Sequence, residues 1–167
     1  MDQDVEFFIK KFNVSRETIE KLNKYKDFLV SSNKLLNLIG KTTENHIFSR
    51  HFTDSAQIYD LIEDKSEIID LGSGAGFPGV ILKILMDYNK KVGNITLIEK
   101  SPKKCKFLQY LTDKLDVLFS ESSYAFRSTK TCEQSFSHHK AIEDIIEIKK
   151  KFESKDLWVA EYDIKKF

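Results

Sequence analysis

Apolar positions recur along this chain in two rhythms, one helical and one of short unbroken runs, and the two alternate. Ile19, Leu22, Phe28 and Leu29 return at helical spacing among lysines and acids, so the first ~30 residues read as helix packed on one face, with Ser15 as an N-cap. Ser31-Ser32-Asn33 is expected to weaken that helix ahead of Lys34-Leu35-Leu36-Asn37-Leu38-Ile39-Gly40, and Thr43 to cap a further helix over residues 44–62. Residues 67–71 form a short aliphatic run ending in Asp70-Leu71, read as a first strand, and Gly93-Asn94 leads into a second at residues 95–99. Between them Val80, Ile81, Leu82, Ile84 and Leu85 make a helix apolar on most sides, the pattern of a crossover helix covered by neighbours, with Pro78 suited to its start. Ser101-Pro102 supplies the N-cap and first position of another helix bearing Phe107, Leu108, Leu111 and Leu115. Beyond it, residues 116–119 read as a short strand, 121–139 as a polar loop, 141–152 as a helix and 157–162 as a final strand.

Strand, helix, strand and helix in that order predict an α/β protein with a parallel sheet. Residues 1–62 form its N-terminal helical part and 63–167 its Rossmann-like core, together one compact domain. The joint between first strand and crossover helix carries the chemistry. It reads Ile68-Ile69-Asp70-Leu71-Gly72-Ser73-Gly74-Ala75-Gly76-Phe77-Pro78-Gly79, a strand, a tight turn and a helix start. Glycines there let backbone approach a ligand closely, and a helix start offers unpaired N–H groups. A dinucleotide fingerprint needs G-x-G-x-x-G, and Phe77 occupies its third glycine. Asp70 gives D-x-G-x-G-x-G instead, a pattern similar to that of Rossmann-like S-adenosylmethionine-dependent methyltransferases. A carboxylate near a cationic methyl donor is favourable, and that ligand has no pyrophosphate to cradle. Glu99, closing the second strand, stands where a carboxylate accepts from both hydroxyls of a ribose, somewhat further along than the ~20 residues of the dinucleotide norm.

Composition narrows the setting. A chain of 167 residues, 41% hydrophobic and 32% charged, fits one globular domain. No run approaches the ~18 apolar residues of a membrane helix, and the acidic start Met1-Asp2-Gln3-Asp4 is unlike a secretory signal, so a cytoplasmic protein is expected. Cys105 and Cys132, without C-x-x-C spacing, read as reduced thiols. His138-His139 with Glu143 makes no convincing ligand set, because adjacent helical histidines point apart; no metal is expected. A net charge of +1 does not announce a nucleic-acid binder. Lys100, Lys103, Lys104 and Lys106 nevertheless crowd the helix start beside the glycine turn, within reach of phosphates, while Lys149-Lys150-Lys151 and Lys165-Lys166 read as solvated faces. In the helix over 44–62, Arg50 can meet Asp54, and His51 can meet Ser55, one turn on.

Four segments in order carry a family resemblance: Asn33-Lys34-Leu35-Leu36-Asn37-Leu38, Arg50-His51-Phe52-Thr53-Asp54-Ser55, the Asp70-to-Gly79 turn, and Glu99 with Lys103-Lys104-Cys105-Lys106-Phe107-Leu108. Over roughly residues 15–115 the chain resembles the glucose-inhibited division protein B family, methyltransferases that modify guanine N7 of small-subunit (16S) ribosomal RNA. The resemblance implies a Rossmann-like S-adenosylmethionine-dependent methyltransferase sheet with an N-terminal helical extension. It also implies S-adenosyl-L-methionine as cofactor and 16S rRNA in the small ribosomal subunit as partner; separately from the resemblance, a monomer is expected. By position, Gly72, Ser73, Gly74, Gly76 and Phe77 would line the methyl-donor pocket, Glu99 would hold the ribose, and Asp70 would sit under the methionine end. Arg50 and His51 become the catalytic candidates, facing the cofactor cleft or the RNA. Lys100, Lys103 and Lys104 become RNA contacts. Guanine N7 already presents a lone pair, so alignment and field stabilisation outweigh any need for a base.

The resemblance fades in the second half. The family's Arg-Ala-Glu-like segment after a third strand and Ser-Arg-Ala-like segment after a fourth have no match, and Tyr124-Ala125-Phe126-Arg127 has a different order, so Arg127 receives no role. Residues 139–152 resemble a later family region, which leaves a family stretch missing or replaced between 115 and 138. The residues after Glu67 accommodate about five strand–helix units of ~20 residues, so the sheet is expected to be incomplete in its C-terminal half. A catalytically degenerate member, without the adenine-binding and acceptor-side motifs, is the alternative to an active enzyme.

Overall fold

The computed structural model describes residues 2–117, 119 and, by backbone, 157–161. Asp2 caps α1 (Gln3–Phe12) by accepting from the N–H of Asp4, and Ser15 caps α2 (Arg16–Leu36) by accepting from that of Thr18. Contrary to expectation α2 runs straight through Ser31-Ser32-Asn33. The Ser31 hydroxyl donates to the Phe28 carbonyl inside the helix, and buried Asn33 accepts from the N–H groups of Leu38 (2.7 Å) and Ile39 (2.9 Å) beyond it. These polar side chains satisfy helical or post-helical backbone instead of competing with it. The helix ends at Asn37 in the left-handed conformation.

The single helix expected over 44–62 is a series of short turns. A 3-10 turn (Lys41–His46) passes to a π-helical turn (Phe48–Thr53), a one-turn α3 (Asp54–Ala56) and a second 3-10 turn (Tyr59–Leu61). Thr43 caps nothing; its hydroxyl donates to the Gly40 carbonyl and meets His51. The wider π winding turns Phe48, Phe52 and Thr53 inward together, where regular α spacing would carry Thr53 off their face. A relay of rings follows, Phe8 on Phe48, Phe48 on Phe52, Phe52 on Tyr25 and Tyr25 on Phe77, with centroids 4.9–6.0 Å apart. It runs from α1 to the glycine turn.

Three strands, β1 (Ser66–Leu71), β2 (Gly93–Ile98) and β3 (Leu157–Glu161), pair in parallel in the order β2-β1-β3. The crossover helix α4 (Gly79–Tyr88) joins β1 to β2, and α5 (Pro102–Leu115) leaves β2 to pack on α2, with Phe28 and Phe107 stacked at 5.2 Å. β1 is central and buried at Ile68, Ile69 and Asp70. The chain thus steps from β1 to β2 on one side, and later places β3 on the other. The C-terminal end of β1 is the switch point, where open α/β sheets bind ligands. The strand expected at 116–119 is not formed at the described positions: Asp116 is a left-handed helix cap, and Val117 and Phe119 are buried outside any strand. The final strand expected at 157–162 is β3. The loop at 121–139, the helix at 141–152, His138, His139 and Cys132 lie outside the described residues.

Candidate functional site

The turn after β1 is built from backbone contacts. Gly72, Gly74 and Gly76 hold φ of 81°, 54° and 98°, a region costly for any side chain. The N–H groups of Gly72 and Ser73 both donate to the last carbonyl of β2, Ile98 (2.7 and 3.0 Å). That of Gly74 donates to Glu99 Oε2 at 2.9 Å, while Glu99 Oε1 accepts from Ser101 N at 2.7 Å. Gly76 and Phe77 both donate to the Ser73 carbonyl. The N–H of Ala75 finds no acceptor among the described residues.

The candidates divide into those at the turn's surface and those beneath it. Gly72 is exposed and a Cβ there would meet open space, and Gly74, Phe77 and Glu99 are half-buried. Asp70 is 2% exposed and its Oδ2 accepts from Gly79 N at 3.0 Å, so it ties the end of β1 to the first residue of α4. Burial raises its carboxyl to about 7, the Gly79 N–H opposing and the charge of Glu99 adding. Ser73 is buried likewise, its hydroxyl donating to the Asp70 carbonyl at 2.9 Å. Gly76 is bare for packing: a Cβ would sit 2.7 Å from both Tyr25 Oη and Val80.

His51 reaches this turn and Arg50 does not. The imidazole lies parallel to the Phe77 ring, centroids 5.2 Å apart, with Nε2 2.8 Å from Thr43 Oγ1. Burial chiefly lowers its pKa below 6.5, Asp54 opposing and Arg50 assisting. The Arg50–Asp54 and His51–Ser55 pairs expected of an α-helix do not form among the described residues, because the π-helical turn changes the register and Asp54 accepts from Gln57 instead. Arg50 is exposed. At the start of α5, Lys100 and Lys103 are exposed and Lys104 half-buried, one residue or a few past Glu99. Cys105 is a free thiol donating to the Glu99 carbonyl at 3.2 Å; burial and then Glu99 raise its pKa.

Sequence reasoning missed Tyr25. The residue is wholly buried on α2, and its hydroxyl donates to the Ala75 carbonyl at 2.6 Å. A tyrosine on the apolar stripe between Leu22 and Leu29 was the available signal, since a phenol buried there needs a polar partner.

These residues fit a nucleoside ligand with a polar tail. The turn offers an open glycine at Gly72 and, bonded to the turn through Gly74, a half-exposed carboxylate at Glu99. Among the described residues no group of three His, Cys, Asp or Glu could hold a metal, and no helix is long and apolar enough to cross a membrane.

A parallel sheet with a glycine turn at its switch point, and an acid closing the neighbouring strand, defines a Rossmann-like methyltransferase fold. The family profile described as rRNA small subunit methyltransferase G matches residues 18–121, and the chain belongs to that family. It is 42% identical over 105 residues to the ribosomal RNA small subunit methyltransferase G of Bartonella henselae, covering 63% of this chain and 48% of that protein. The protein of the same name from Allorhizobium ampelinum is 45% identical over 96 residues, 58% of this chain and 45% of its own length. That of Mycoplasma mycoides subsp. mycoides is 38% identical over 117 residues, 68% and 81%. The chain spans about half the length of the first two relatives.

Proposed function

We propose that this chain is an S-adenosylmethionine-dependent methyltransferase acting on guanine N7 of 16S rRNA in the small ribosomal subunit, as a cytoplasmic monomer. One observation carries the reading: the glycine turn at the end of central β1 is bonded through Gly74 to Glu99 at the end of β2. The relatives named as ribosomal RNA small subunit methyltransferases give the substrate class. In this reading residues 1–62 are a helical extension and 63–167 the core.

When bound, S-adenosylmethionine supplies an electrophilic methyl group on a sulfonium. Gly72 and Gly74 would line its place, and Glu99, already oriented by two backbone donors, would accept from the ribose hydroxyls through its remaining lone pairs. Asp70 and Ser73 act from beneath by holding the turn's shape, and Gly76 leaves room for Tyr25. Phe77 is held in place by its stacked contacts with Tyr25 and His51. Guanine N7 attacks with its own lone pair, so the half-buried His51, stacked on Phe77, has an orienting role and not one of proton abstraction; Arg50 and the lysines at 100, 103 and 104 supply positive charge toward RNA phosphates.

Calorimetric titration with S-adenosylhomocysteine tests the donor site, with Gly72→Arg as control. Binding on the order of micromolar, abolished by the arginine, is expected. Labelled methyl transfer to 30S subunits in a single turnover then separates an enzyme from a degenerate member that binds without transferring. A folded chain that binds no S-adenosylhomocysteine overturns the reading.

A further inference from the structure

Resting on the donor-site reading above, we propose that Tyr25 is the positioning residue of the glycine turn: its hydroxyl, arriving from α2, fixes the Ala75–Gly76 peptide and so the course of the backbone that meets the methyl donor. The hydroxyl is the informative part of this side chain. Against Phe52 (5.2 Å) and Phe77 (5.6 Å) a phenylalanine ring would pack equally well, without a polar group to desolvate. The phenol is nevertheless wholly buried, and its hydrogen bond goes to the Ala75 carbonyl at 2.6 Å, across 50 residues of sequence.

The other end of the same peptide is also held, since the Gly76 N–H donates to the Ser73 carbonyl at 2.6 Å. A peptide fixed at both carbonyl and amide cannot flip. The residues before it, Gly72 and Gly74, have no side chains to restrain them, so the restraint must come from bonds to the backbone. Gly76 is bare where the hydroxyl arrives, a Cβ there lying 2.7 Å from Tyr25 Oη, so turn and phenol are fitted to each other. Burial and the nearby Asp70 keep the phenol protonated well above its usual range, so the bond persists at every working pH. Tyr25 does not face the ligand. Its effect passes through the turn.

Tyr25→Phe deletes the hydroxyl and keeps the ring. Two quantities are read: S-adenosylhomocysteine affinity by calorimetry, and amide exchange of residues 72–77 by mass spectrometry. Ile19→Val, a loss of packing within the same helix, serves as the control for mere destabilisation. Tyr25→Phe is expected to weaken binding about tenfold and to speed exchange in the turn about tenfold, with α4 unchanged. Ile19→Val should leave binding and turn exchange within about twofold of wild type, whatever its melting temperature. The proposal fails if Tyr25→Phe changes neither quantity, or if Ile19→Val weakens binding as much. It fails also if Tyr25→Phe does not fold, since the bond would then serve the fold and not the turn. Should wild type itself bind no S-adenosylhomocysteine, the donor-site reading falls, and the exchange comparison still decides the role of Tyr25.

Discussion

Asp70 shows how one side chain can belong to a ligand motif and yet work out of sight of the ligand. The sequence places it two residues before the first glycine, and the fold buries it to 2% exposure with Oδ2 on the Gly79 N–H. Gly79 is glycine for this contact: a Cβ would lie 2.7 Å from Asp70 Oδ2 and collide with Leu97. The desolvated carboxyl has a pKa near 7 against 3.8 when free, so between those values the folded chain holds a proton that the unfolded chain has released. The stability contributed by Asp70 is therefore greatest in acid, falls as pH rises from about 4 to about 7, and is flat above. Asp70→Asn removes that dependence while leaving an oxygen to accept from Gly79. The variant should gain on wild type by roughly 2–4 kcal/mol between about pH 4 and pH 8, read from urea midpoints. Parallel curves for the two proteins would show that Asp70 is not the titrating group.

Among the elements, the exit of α2 and the π-helical turn are where local reasoning and the folded chain part. Ser31-Ser32-Asn33 looks like a helix weakener because such side chains compete for backbone. Here the competition is resolved in the helix's favour, since Asn33 reaches forward to Leu38 and Ile39, whose N–H groups the helix could not serve. Asn33→Ala leaves two backbone donors without that acceptor and should cost about 1–3 kcal/mol, with Asn33→Asp largely restoring it, measured by urea unfolding. An alanine variant as stable as wild type would show that solvent replaces the side chain. The segment after it could not be read as a π-helical turn, because i,i+4 pairs such as Arg50–Asp54 are the default of any apolar-periodic stretch. Burial of Phe48, Phe52 and Thr53 on one face decided otherwise, and the same winding puts His51 against Phe77.

At the scale of the whole molecule, β1 depends on chain that lies far away in sequence. Its register pairs Glu67 with Asn94 on one side and with Leu157 on the other, so β3, far along the chain, covers the edge opposite β2. A chain ended at residue 121 would expose that row of unpaired N–H and C=O groups. It should unfold at lower urea and self-associate in sedimentation velocity. A monomer with an unchanged midpoint would show that β3 adds nothing to the fold. The ring relay from Phe8 to Phe77 acts at the same scale, joining the N-terminal helices to the glycine turn through packing.

What the sequence determined by itself is whatever a single local pattern encodes: the helical period of α2, α4 and α5, the aliphatic runs of β1 and β2, and the turn whose glycines demand left-handed backbone. Motif order was legible too, because the family's signature segments are contiguous, and the matched stretch of 18–121 lies where they do. Tertiary structure decided which of those residues face outward. Asp70 and Ser73 turned inward, Arg50 stayed in solvent, and His51 and Tyr25 were brought to the turn from separate helical segments. No spacing rule predicts such meetings. They are set by how buried rings and backbone donors across the fold find partners at the same time.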